Sequence, residues 1–306
     1  MRCPEHAAST GNSTFEQRLK GRPPYPLETI GVAVAFSPRL EALLCEAQRL
    51  SVLFSARLLL IHVGRRTAEK EATLSEKCRL AGIAPEVQPV WQEGSIISSL
   101  LAVCKTNMVD LLVLGALQRE NVFRYYLGSV ARGLSRKAKC SLLLLTEPAT
   151  TGSTFNEIVV NCVEHPKTIP TLNTVLYFSN MTGSKCIHIV KEVDESGLAM
   201  AMSDDVTTSE KSSFREQLRH EAEEALRQKM SSCPDQKIQV KPAVLFGRPG
   251  YAIRRYAEEC HADLLVINSP DSRYGLMDRI FNHDMEYILE NLPCNMMIVH
   301  SRHTSI

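Results

Sequence analysis

At 306 residues, with 44% hydrophobic and 23% charged residues, the chain has the make-up of a globular protein long enough for two domains of about 150 residues each. A formal charge of +1 excludes a field that would draw nucleic acid or an acidic membrane surface. Ten cysteines without a CxxC pair argue against a disulfide framework or a zinc module, and the longest apolar runs, such as Leu111 to Leu117, fall short of the roughly 20 residues of a membrane-spanning helix.

The first 27 residues carry Glu5, Glu16, Pro4, Pro23 and Pro24 but no apolar stretch of signal-peptide type, so they are read as a flexible extension and the cytoplasm as the expected location. Ile30 to Phe36 is then a β-rich run. Ser37-Pro38 offers an N-cap and a first-turn proline for a helix built on Leu40, Leu43, Leu44, Ala47, Leu50 and Phe54. Arg57 to Val63 is the second strand and Thr67 to Ala81 a polar helix. Glu86 to Val90 is an edge strand, because Pro89 has no N–H for a ladder. Glu93-Gly94-Ser95 turns into a helix from Ile96 to Asn107. Asp110 to Gly115 is strand four, Gly128 to Ala138 a helix, and Ser141 to Thr146 strand five. Strands apolar on both alternations, joined by helix-length connections, predict a parallel sheet covered on both faces.

The order then repeats. Glu157 to Val163, Thr168 to Ser179, Lys185 to Val190, Gly250 to His261, Asp263 to Asn268 and Cys294 to His300 follow the same pattern. The first strands of the two halves are 128 positions apart and the fourth strands 153, so the second half holds extra residues between strands two and three. That segment, Val193 to Met230, begins loop-like and ends as an amphipathic helix on Phe214, Leu218, Ala222, Ala225 and Leu226. The predicted organisation is an extension over 1–27, one α/β domain over 28–148, a linker over 149–156 and a second α/β domain over 157–302.

Asp110-Leu-Leu-Val-Leu-Gly115, Tyr126-Leu-Gly128-Ser129-Val130-Ala131 and Lys139-Cys-Ser-Leu-Leu-Leu-Leu145 resemble the universal stress protein family, here as a tandem pair spanning Glu28 to Arg302. The resemblance implies two tandem doubly wound domains, each a five-stranded parallel sheet in order 3-2-1-4-5 with helices on both faces. It also implies an ATP or AMP site at the switch point between strands one and four. The family's motif is G-x2-G-x9-G-[S/T], with an aspartate at the end of strand one.

Carried over to this sequence, Gly115 fills the first glycine, and Gly128 and Ser129 fill the final pair, followed by Val130. Gln118 stands at the middle glycine and Ala35 at the aspartate, while Val63 ends strand two, where the family uses backbone groups near the adenine. Gln118 either crowds a phosphate or hydrogen-bonds to it, and Ala35 removes a charge-assisted acceptor. In the second half, Asn268, Asp271 and Asn282-His283 replace the motif and Val163 replaces the aspartate. Asp271 and Asp284 set carboxylates where phosphates would lie, so a structural role is expected there.

Arg119 and Arg124, inside the x9 loop, are candidates for phosphate contact. Arg132, Arg136 and Lys139 read as a solvated helix face whose charge suits a helix C-terminus. Cys3 and His6 have metal-like spacing but no second pair, so no metal is expected. His62 and His188 are taken to occupy matching ends of strand two, packed or facing solvent. No Ser-His-Asp or Cys-His spacing points to nucleophilic catalysis. The expectation is a non-enzymatic stress-response protein, binding ATP or AMP weakly in its first half, with the two final strands pairing antiparallel in an internal pseudo-dimer. The alternative is an interaction scaffold of the same fold without a nucleotide.

Overall fold

A computed structural model of the chain describes residues 24–118, 125–194, 208–231, 238–270 and 283–300. The expectations for Cys3, His6, Arg119, Arg124, Asp271, Asn282 and the loop over 195–207 lie outside these residues, as does the side chain of Gln118.

The first half runs β1 (Thr29–Ala33), α1 (Leu40–Leu53), β2 (Arg57–Val63), α2 (Ala68–Leu80), β3 (Val90–Gln92), α3 (Ile96–Thr106) and β4 (Leu111–Gly115). A small ribbon, β5 (Leu117–Gln118) with β6 (Tyr125–Tyr126), leads to α4 (Ser129–Lys137) and β7 (Ser141–Leu145). The second half runs β8 (Glu157–Asn161), α5 (Thr168–Thr182), β9 (Cys186–Val193), α6 (Thr208–Ser231), β10 (Gln239–Phe246), α7 (Tyr251–Glu259), β11 (Leu264–Asn268), α8 (His283–Glu290) and β12 (Asn295–Val299).

All the strands but the ribbon lie in one ten-stranded sheet, ordered β10-β9-β8-β11-β12-β7-β4-β1-β2-β3. Pairing is parallel throughout except at the central seam, where β12 meets β7 antiparallel with Met296, Met297 and Ile298 opposite Leu144, Leu143 and Leu142. The two five-strand sets expected from the sequence are thus joined edge to edge, because each closes the ladder that the other would leave open. Side chains lengthen the seam at both ends. Asn295 Oδ1 accepts from the Thr146 amide at 2.9 Å, and Ser141 Oγ accepts from the His300 amide at 3.1 Å.

Strands β4, β7, β11 and β12 are buried on both faces, as their unbroken Leu, Ile, Val and Met runs require. On one face Phe54 of the first half packs against Tyr177 and Phe178 of the second, and Phe155 packs edge-on to Phe178. That apolar core is continuous across the halves. The extension is not loose throughout. Tyr25 stacks on Tyr177, Leu27 is buried, and the Leu27 amide donates to the Tyr177 hydroxyl.

Two buried-end aspartates have a shared structural task. Asp110 Oδ2 accepts from the amides of Glu28 and Thr29, and Asp263 Oδ2 from those of Asn156 and Glu157. Each carboxylate therefore pins the start of the neighbouring strand β1 or β8. Local differences from the sequence reading are instructive. Ser37 and Pro38 form a turn rather than a cap, with α1 beginning after Arg39, whose side chain makes no capping bond to its own helix. Thr67 does cap α2, accepting from the Lys70 amide. Helix α6 starts at Thr208, earlier than its apolar stripe suggests, with Ala222 and Leu226 buried beneath it.

Candidate functional site

At the C-terminal edge of the first-half strands, β1 and β4 diverge and leave a cleft of about 440 Å³. The loop after β1 supplies Ala35, the end of β2 supplies His62 and Val63, and the end of β4 supplies Gly115. Gly128, Ser129 and Val130 enter from the start of α4. Gln118 stands in the adjoining ribbon, opposite Tyr125. Residues far apart in sequence thus converge on one hollow at the switch point of the strand order.

The floor is apolar, formed by Leu43, Ile61, Leu100 and Leu114, and the cleft's far wall by Ile96 and Leu117. Among the described residues that line it there is no carboxylate, and the ionisable ones are Arg39 and His62. Gly128 is the N-cap of α4, with no side chain capping the first turn and no acid within it. The start of that helix, with its unpaired leading amides and the positive end of its dipole, forms part of the cleft lining.

The two glycines serve different purposes. Gly128 has φ −65°, so no left-handed backbone demands it. A Cβ there would fall 2.5 Å from Leu117 Cδ1. Gly115 has nothing within 4 Å of where its Cβ would be, and a side chain would project into open space.

Arg39 is a lining residue that the sequence reading missed. Its guanidinium donates to the carbonyls of Thr146 at 2.6 Å and Ala116 at 2.8 Å, and it stands 5.4 Å from the centre of the Tyr125 ring. It ties the ends of β4 and β7 to the head of α1. The only sequence signal is its position just before an amphipathic helix. Lys167 repeats the device in the second half, donating to the carbonyls of Ser269 and Pro270.

His62 is buried, with Nδ1 2.9 Å from the Val34 carbonyl oxygen, so Nδ1 carries the proton in that bond. Its Nε2 is enclosed and has no hydrogen-bond partner among the described residues. Phe36 and Trp91 meet the ring edge-on, each at 4.9 Å between centres. His188 does not match His62, contrary to the sequence alignment. Thr29 pairs with Arg57 as Glu157 pairs with Cys186, so the main-chain register equates His188 with Leu59 and His62 with Lys191. His62 lies at the cleft edge of the sheet and His188 near the opposite edge. The repeated Ile-His pair misled because two similar residues outweighed a three-position difference in register.

In the second half other side chains meet at the equivalent positions. Asn268, in place of Gly115, donates through Nδ2 to Thr168 Oγ1 at 3.1 Å, and Thr168 donates in turn to the Val163 carbonyl. These bonds tie the end of β11 to the head of α5 and the residues after β8, at the place where Gly115 has no neighbour in the first half. The ribbon beside the first cleft is itself held by the second half. The Leu127 amide donates to the Leu289 carbonyl at 2.8 Å, and the Leu292 amide to the Tyr125 carbonyl at 2.9 Å.

Arg132, on the face read as solvated, donates to the Leu127 carbonyl and braces the turn into α4. The buried thiols are not poised as nucleophiles. A hydrogen bond to Cys140 and then burial push the Cys104 thiol up, and burial pushes up that of Cys294. Among the described residues, no helix is long and apolar enough to cross a membrane.

Comparison with curated protein sequences gives no match. Among solved structures, a universal stress protein from Archaeoglobus fulgidus DSM 4304 is 15% identical, with 90% of this chain and 99% of that one covered at a TM-score of 0.63. A putative universal stress protein from Pseudomonas aeruginosa UCBPP-PA14 is 14% identical, with 89% and 93% covered at a TM-score of 0.62. At such identities the likeness establishes the fold. The sequence profile described as "Universal stress protein family" matches residues 64–146 and again 186–300, which together make up most of the chain. With two matched segments and the fold in agreement, the chain belongs to the universal stress protein family, in a tandem form.

Proposed function

We propose that residues 28–148 and 157–302 act as two units joined by 149–156, and that the first binds ATP or AMP weakly while the second supports it. The observation that carries this reading is the contrast between the two halves. In the first, Gly115, Gly128, Ser129, Val130, Ala35 and Val63 surround an open cleft fronted by an uncapped helix N-terminus, which suits a phosphate without needing a side-chain cation. In the second, Asn268 stands in place of Gly115 and its amide is bonded to Thr168.

The role is binding and signalling in a stress response within the cytoplasm, with slow ATP hydrolysis or self-phosphorylation as the alternative use of the same cleft. Ala35 withholds the family's adenosine contact, which favours weak binding with loose selectivity.

Calorimetry with ATP and AMP tests the proposal, together with Trp91 fluorescence, because Trp91 touches the His62 ring and is the chain's single tryptophan. Gly128→Val is expected to remove the heat and the fluorescence change. Its side chain displaces the exposed Leu117 into the cleft mouth and crowds the phosphate position. No heat from the unaltered protein at millimolar ATP would favour the scaffold reading instead.

A further inference from the structure

On the edge of the sheet opposite the cleft, the second half gathers a set of side chains that nucleotide binding does not use. Glu157 opens β8, and Cys186 opens β9 directly opposite it in the parallel register. His188 lies two residues further along β9, so it shares a sheet face with Cys186. A carboxylate oxygen of Glu157, the Cys186 sulfur and a ring nitrogen of His188 all lie within 4.8 Å of one another. Cys186 and His188 are buried and Glu157 is half-buried.

We propose that Glu157, Cys186 and His188 form a binding site for a divalent cation of the zinc type. Zinc takes sulfur, imidazole and carboxylate ligands at about 2.0–2.3 Å, so donors sharing one ion stand about 3–4 Å apart. From the 4.8 Å limit the trio needs a contraction of at most about 1–2 Å to reach that geometry, shared among the three side chains. The mixture of one soft and two harder donors suits zinc or cobalt over magnesium or calcium.

The ring of His188 is already oriented for this role. Its Nε2 lies 2.9 Å from Glu157 Oε2, and its Nδ1 lies 2.8 Å from the hydroxyl of Tyr256 on α7. With a metal at Nε2, the Nδ1 proton is donated to Tyr256, the outer contact that fixes tautomer and ring angle in metal-bound histidines. Three protein ligands leave the fourth position to water. Lys241, opposite His188 on β10, interacts with Cys186 and adds a positive charge beside the thiolate and carboxylate of the site. The cluster belongs to this half alone. The register places Thr29, Arg57 and Leu59 at the equivalent positions of the first half, which offer no such donor set.

Cobalt titration of the chelator-treated, full-length protein under reducing conditions tests the site. The expected result is one equivalent of Co²⁺ giving a sulfur-to-cobalt charge-transfer band and intense ligand-field bands, both lost on adding Zn²⁺. Cys186→Ser should abolish the charge-transfer band, while Cys45→Ser on α1 and Cys3→Ser should keep it. If Cys186→Ser fails to fold by circular dichroism, Glu157→Gln provides the second arm, since its half-exposed side chain tolerates the change; it should weaken Co²⁺ binding about tenfold or more. Absence of the band in the unaltered protein would overturn the proposal and leave His188 and Glu157 as a hydrogen-bonded pair beside Cys186. Loss of the band in Cys3→Ser with retention in Cys186→Ser would overturn it equally.

Discussion

Gly115 and Gly128 carry equal weight in a sequence motif, yet they are glycine for different physical reasons. Neither needs a positive φ. Gly128 is small because Leu117 crosses its Cα, whereas Gly115 is small with nothing of the protein nearby. A side chain at 115 therefore tests the cleft with little effect on the fold. Gly115→Val is expected to change stability by no more than about 0.5 kcal/mol in thermal unfolding, the usual range for a substitution that meets no neighbour. It should nonetheless abolish ATP binding in calorimetry; retained binding would show that the nucleotide lies elsewhere. The converse test is Ala35→Asp. Position 35 is exposed at the cleft rim, so a carboxylate can be placed there without burial. A charge-assisted hydrogen bond to the ribose contributes about 1.5–3 kcal/mol, so affinity for ATP should rise about tenfold or more.

Among the elements, α6 is the counterpart of α2 lengthened from 13 to 24 residues, and its attachment includes a narrow apolar stripe and a charged clamp. Lys229 donates to both oxygens of Glu164 at 2.7 and 2.8 Å, and Lys191 of β9 donates to the same carboxylate at 3.0 Å. Hydrogen bonds from Lys229 and then Lys191 hold the Glu164 carboxyl below its usual range. A depressed carboxylate contributes stability that is present above the unfolded glutamate value, near 4.3, and lost as pH falls through the lower folded value. The carboxylate is largely exposed, so the clamp is worth about 0.5–1 kcal/mol after solvent screening. Glu164→Gln should lose that amount at neutral pH in low salt, show less loss in high salt, and match the unaltered protein once the pH falls below that lowered folded value. Unequal stability of the two proteins in acid would show that Glu164 acts through packing instead. How legible such elements are follows from their physics. Strands such as Leu111–Gly115 and Leu264–Asn268 stand out because burial on both faces forces an unbroken apolar run. The β5–β6 ribbon left no trace, since two residues per strand make no pattern and its bonds run to Leu289 and Leu292 in the other half. Arg39 and the trio around His188 were equally hidden: their partners are distant in sequence, and only the strand register brings them together.

At the scale of the molecule, the seam decides whether the tandem halves behave as two proteins or one. Leu142, Leu143 and Leu144 face Met296, Met297 and Ile298 with every one of these side chains at most 1% exposed. Beyond the ladder, Phe54 of one half stacks on Phe178 of the other, and the ribbon beside the first cleft hangs on carbonyls and amides of the second half. Unfolding either half alone would expose that apolar surface and an open strand edge, at a cost of about 1.5–3 kcal/mol for each large side chain bared. The halves should therefore melt together. Trp91 sits in β3, at the outer edge of the first half and remote from the seam, so its fluorescence reports that half while far-ultraviolet dichroism reports the whole chain. Coincident thermal transitions by the two probes are expected. Leu143→Ala removes a fully buried seam side chain, costs about 2–5 kcal/mol and should lower both midpoints together by about 5–10 °C. A tryptophan transition that stays in place while the dichroism midpoint falls would mean that the first half stands without the second. In that case the support assigned to residues 157–302 would have to be abandoned.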